Sequence, residues 1–246
     1  MKIRSLSLAA IAGLAVLYLG LPAFGQALVS VEFTGGYTTT WGNTDGDYGA
    51  GIYTANINGA ASPGIICDDF KDDITSGEKW NANAYQASSL ASGNINNTLF
   101  GGTIGLTGYA EVATLVSMMF GGNTTYGSIT GITQAELSSA IWDITTPGGI
   151  NGLDTKAKLL VAAVQTAFNN NVTAATQYLD TLTNLWILTP NPLTGVGSGE
   201  PQEMWTTNLS VPEGGAALMF LLCAGLSCFG AMFFKYRNEA GSSSVA

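Results

Sequence analysis

The sequence contains no histidine, and only 10% of its 246 residues are charged, against about a quarter in an average soluble domain. Without an imidazole, Ser-His-Asp and Cys-His catalysis and every His-ligated metal site are excluded. Basic residues are the scarcest charges: eight Lys and Arg stand against 17 Asp and Glu, a net charge of -9 with no basic stripe. Such a chain repels phosphate backbones, which excludes a nucleic-acid partner. There are three cysteines, two of which (Cys223 and Cys228) fall in one apolar run near the C-terminus. Cys67 is therefore left without a disulfide partner, and the rest of the chain must fold on core packing alone. The length suits one domain of moderate size plus targeting segments rather than a large multidomain enzyme. What the chain has in quantity is glycine, 32 residues, together with Asn and Thr.

The two ends carry targeting signals. Residues 1–27 place Lys2 and Arg4 before an apolar run from Leu6 to Leu21 and then small residues at Ala23 and Gly25, the pattern of a secretory signal peptide cut beside Gln26. Near the other end, residues 216–234 carry no charge; at roughly 1.5 Å per residue they make a helix of about 28 Å, enough to cross a hydrocarbon core. Lys235 and Arg237 follow it and the polar tail 238–246 ends the chain, so the positive-inside rule leaves the tail in the cytoplasm and the preceding domain outside. Residues 189–211, with Pro190, Pro192, Gly195, Gly197, Gly199 and Pro201, are expected to be a flexible juxtamembrane linker.

The exported domain is expected over 28–188 as an α+β fold, β-rich first and helical second. Alternating β-branched and aromatic runs at Val29–Thr34, Tyr48–Ile57, Ile65–Phe70 and Trp80–Ala87 predict strands. Helical spacing at Tyr109, Val112, Leu115, Val116 and Met119, then at Leu137, Ala140, Ile141 and Ile144, then at Leu159, Leu160, Ala163, Val164 and Ala167 predicts three amphipathic helices. Thr133-Gln134-Ala135-Glu136 has the form of a capping box and should start the second.

Val211, Pro212, Glu213, Gly214 and Gly215, followed by the apolar span and by Lys235 and Arg237, resemble the PEP-CTERM sorting signal of bacterial exported proteins. The resemblance implies a membrane-embedded exosortase as partner, membrane attachment through the helix before processing, and delivery to the cell surface or extracellular matrix. Gly214 stands where the commonest form has a second Pro, and the tail runs on past Arg237. Read without the resemblance, the same block is a permanent membrane anchor.

Three internal fragments, Ile66-Cys67-Asp68-Asp69-Phe70, Gly77-Glu78-Lys79-Trp80 and Leu137-Ser138-Ser139-Ala140-Ile141-Trp142, resemble the thioester-domain-like exported proteins that carry such tails. In that family a cysteine at the position of Cys67 is crosslinked to a glutamine four residues before a tryptophan. Matching on Trp142 puts Ser138 at the glutamine position, so the resemblance implies the fold without the reactive group. The nearest upstream glutamine, Gln134, lies one helical turn away, a displacement of about 6 Å. Taken by itself, Cys67 reads as a small buried strand residue.

No cofactor is expected. Asp68, Asp69, Asp72 and Asp73 have the hard oxygens that Ca²⁺ takes, but four carboxylates around Lys71 read more simply as a solvated acidic turn. Trp41 and Trp80, with nearby tyrosines among Asn, Asp and Thr, have the composition of a glycan-contacting face, and half-buried strand aromatics have the same composition. The sequence therefore leads to the expectation of a non-enzymatic exported protein acting in adhesion or exopolysaccharide association; the alternative is a carbohydrate-binding module.

Overall fold

The structure, a computed structural model, describes residues 26–43, 46–71, 74–193 and 201–209. Residues 1–25 of the expected signal peptide, the sorting motif at 211–215 with the span and Lys235 and Arg237, and Asp72 and Asp73 lie outside the described residues, while Gln26 and Ala27 begin the first strand. Strands Gln26–Asn43 (β1), Gly46–Ile57 (β2), Ala60–Ala61 (β3), Ile65–Cys67 (β4) and Lys79–Gln86 (β5) come first. Helix Gly101–Phe120 (α1), a small hairpin of Thr125–Tyr126 (β6) and Ile129–Thr130 (β7), and helices Gln134–Thr145 (α2), Thr155–Phe168 (α3) and Val172–Asp180 (α4) follow. Leu185–Pro190 (β8) and Met204–Thr207 (β9) return to strand. The β-rich half followed by helices is the mixed α+β arrangement expected.

The strands form a ring. β1 pairs with β5, β5 with β8, β8 with β9, β9 with β4, β4 with β2, and β2 again with β1, every pair antiparallel, while β3 hangs on β2. Closure gives each of the six a partner on both sides. Because side chains alternate along a strand, each contributes to two cores. Val29, Val31 and Phe33 of β1, Ala82 and Ala84 of β5, Ile65 and Cys67 of β4, Leu188 and Met204 fill the inside of the ring. The intervening residues Ile66, Tyr85, Ile187 and Trp205 face outward into a second core shared with the helices.

α1 is the centre of that second core. Its apolar length would suffice for a membrane span, but more than half of the apolar window is buried within the fold, with Tyr109, Val112, Ala113, Leu115 and Val116 fully covered. α2 begins at the capping box read from sequence: Thr133 Oγ1 accepts from Glu136 N (3.2 Å) and Glu136 Oε2 accepts from Thr133 N (2.6 Å). One expectation needs correction. The stretch read as linker contains β9, whose Met204, Trp205 and Thr206 are fully buried, because this segment supplies the strand that joins β8 to β4. Trp186 lies on β8 against the interior of the ring.

Candidate functional site

β1 pairs with β5 only as far as Glu32, and beyond that point the β1–β2 hairpin runs on past the ring. Three register shifts between Phe33 and Thr39 bend it, and Gly35 sits at the first with φ +88°, a conformation that a side chain would strain. The bent hairpin leans on α2: Thr38 Oγ1 donates to Gln134 Oε1, and Gly51 N donates to Ser138 Oγ at 2.8 Å. Between the hairpin, the end of the ring and α2 lies a half-open cleft of about 350 Å³.

Six aromatic rings line the cleft. Tyr37, exposed over 53% of its surface, lies over Gly49, where a Cβ would come within 2.7 Å of the ring; glycine lets ring and backbone meet. Tyr48 and Phe70 stack obliquely at 5.0 Å, and Phe70 contacts Trp142 at 5.4 Å. Trp41 closes this group from behind at 6.0 Å from Trp142. Tyr53 donates its hydroxyl to Gly49 O at 2.6 Å. On the polar side lie Ser76, Asp69, Gln202 and Cys67.

Cys67 and Trp142, matched in the thioester-like resemblance, do come together, through the backbone: Trp142 Nε1 donates to Cys67 O at 3.1 Å. Ser138 does not join them, since its hydroxyl is taken by Gly51. The thiol faces two acceptors instead, Asp69 O at 2.9 Å and Gln202 Oε1 at 3.1 Å, and Gln202 Nε2 donates to Asp69 O at 3.3 Å. Burial, and then the charges of Asp69 and Asp68, push the thiol well above its ordinary range, so Cys67 is held as a neutral thiol.

Asp68 points the other way, into the helical core. Its Oδ2 accepts from Trp205 Nε1 at 2.6 Å. Glu203 beside it is fully buried and accepts from Leu99 N (2.8 Å), Thr189 Oγ1 (2.5 Å) and Tyr109 OH (2.5 Å). Burial and the neighbouring Glu203 raise the Asp68 carboxyl well above the carboxylate range; burial raises Glu203 as well, against the pull of its donors. Two buried carboxyls in one pocket do not both ionise. Asp68 Oδ1 meets no hydrogen-bond partner among the described residues, whereas Glu203 accepts from three donors.

Two sequence expectations are corrected here. Asp68 and Asp69 are not a solvated turn: they are exposed by 0% and 1%, and among the described residues no three Cys, Asp or Glu side chains come together as a metal set. Trp41 and Trp80 are not glycan contacts, being exposed by only 5% and 8%, one in the helical core and one inside the ring. Strand alternation buried them, and the ring left facing solvent is Tyr37. Glu203 and Gln202 carried no local signal, lying in the segment read as linker. Comparison with family models, with curated proteins and with solved structures gives no match.

Proposed function

We propose that this chain is an exported, non-enzymatic protein, released by an exosortase to the cell surface or matrix, that holds exopolysaccharide in the cleft at the end of the strand ring. The observation that carries the glycan half of this reading is the cleft itself: an exposed Tyr37 shares it with the rings of Tyr48, Phe70 and Trp142 and with the polar side chains of Ser76, Asp69 and Gln202. Rings supply flat area for pyranose faces, and amide, hydroxyl and carboxyl groups orient sugar hydroxyls. The cleft volume of about 350 Å³ lies within the range of roughly 300–1,000 Å³ usual for small-ligand sites. The export half is supported by the signal-peptide pattern and by the order Val211 to Gly215, apolar span, Lys235 and Arg237. Affinity electrophoresis through gels containing single polysaccharides tests the glycan half. Retardation by at least one acidic or neutral polysaccharide, lost in Tyr37→Ala, is the expected result; equal mobility of the two proteins in every gel would refute it.

A further inference from the structure

A second concavity, of about 620 Å³, opens on the far side of the helical core, between α1, the end of α2 and the end of α3. Glu111 of α1 lies at its wall and is only 6% exposed. No hydrogen bond or ion pair reaches its carboxyl among the described residues, so the acid opens on the concavity without a protein partner while the rest of its side chain is covered. Burial alone raises it to about 7, with no cation near enough to offset the effect. A glutamine or an apolar residue would fit the helix at lower cost.

The surroundings are neutral and polar. Thr107 of α1, Gln165 of α3, and Asn169 and Asn170 after it line the same space, the last two in the left-handed conformation with φ 46° and 54°. They offer hydroxyl and amide groups but no charge, while Ile144 adds an apolar patch. A lone carboxylate calls for a cationic donor. A divalent metal is the wrong one, because Ca²⁺ takes several oxygens from more than one acid. An ammonium satisfies a single carboxylate with three hydrogens, and the amides and hydroxyls around it suit a ligand that is itself rich in hydroxyls.

We propose that the Glu111 concavity is a second ligand site, taking an amino-sugar residue whose free ammonium pairs with the Glu111 carboxylate and whose hydroxyls meet Thr107, Gln165 and Asn169. It is separate from the aromatic cleft and does not depend on that cleft binding glycan. The test is calorimetric titration of the full-length chain in detergent, at 150 mM salt so that diffuse attraction to an acidic protein is screened. The probes are a glucosamine trimer, its N-acetylated form, a neutral glucose trimer and a lysine tripeptide. The glucosamine trimer should bind at least tenfold more tightly than the other three. Glu111→Gln should lose that tenfold, while Asp180→Asn, which removes an exposed charge elsewhere, and Tyr37→Ala, in the other cleft, should keep it. Equal binding of the acetylated or glucose trimer, equal binding of the lysine peptide, an unchanged Glu111→Gln, or loss in Tyr37→Ala would each overturn the assignment. The isosteric Gln variant keeps the side-chain shape, and a cooperative melting curve is the check that it is folded.

Discussion

The thiol of Cys67 lies 3.1 Å from Oε1 of Gln202, a residue 135 positions later in the chain. A carboxamide against a cysteine is the pair from which a thioester could form with loss of ammonia, and here it joins β4 to the start of β9 rather than to α2. The thiol nevertheless stays protonated: burial and the two aspartates oppose the thiolate, which is the nucleophilic form. Intact mass of the folded domain should therefore show no deficit of one ammonia, and Cys67 should alkylate only after unfolding. A deficit that vanishes in Gln202→Ala would show that the domain carries a thioester after all.

The Asp68 and Glu203 pair predicts an asymmetric response to mutation. Glu203→Ala strips a partner from Leu99 N, Thr189 and Tyr109 in a dry pocket, a loss of roughly 3 kcal/mol or more. Asp68→Asn keeps an acceptor for Trp205 and a donor for Glu203 and should cost less than half as much. Because the folded-state value of Asp68 is raised, the stability it contributes is present in acid and lost as pH rises through that value; Asp68→Asn should remove the loss. Denaturant melts of both variants at pH 5 and pH 9 check this.

Glu111 obeys the same sign. Its carboxyl is raised from 4.5 to about 7, so its contribution is full below pH 4.5 and disappears as pH passes 7. With solvent at the concavity screening part of the effect, Glu111→Gln should stabilise the protein by about 1 to 2 kcal/mol at pH 8 and by little at pH 5. Thermal melts at the two pH values measure the difference, and an equal gain at both would show that ionisation is not the cause.

Ring exposure separates binding from folding. Tyr37→Ala should change stability by less than about 0.5 kcal/mol, as surface truncations do, while removing polysaccharide retardation. Trp41→Ala should instead cost about 3 to 5 kcal/mol, since it empties a core position packed against Tyr48, Phe70 and Trp142.

Processing gives the last expectation. Mass determination on surface-fraction protein should find a first residue near Gln26 and a last residue between Pro212 and Gly215. Recovery of the mature form with Lys235 and Arg237 still attached would make the C-terminal block a simple anchor.

Much of the fold was legible because periodicity is local. Val29, Val31 and Phe33 alternate on β1, and Leu137, Ala140, Ile141 and Ile144 recur at helical spacing on α2, as the structure has them. α4 was missed because its nine residues bury only Ala175 and Leu179, too few for a period to register. β9 was missed because four residues carry no alternation and the stretch before them holds Gly195, Gly197, Gly199 and Pro201. The polar site was illegible for a different reason. Sequence groups Asp68 with Asp72 and Asp73, its neighbours in the chain, whereas its partners Trp205 and Glu203 are brought to it only by β4–β9 pairing.

The ring of strands also has an order of arrival. β4 and β5 are synthesised early, but the strands that lie between them, β8 and β9, come after all four helices; Trp205 must find Asp68 across 137 residues. A chain made, or threaded through a membrane, from its N-terminus therefore spends most of its passage as an open ribbon with the apolar faces of Ile65, Trp80 and Ala82 uncovered and two strand edges free. Such distant pairings form slowly. The vulnerable interval ends only when residue 207 emerges, so the last described strand sets when proteases and aggregation cease to compete with folding.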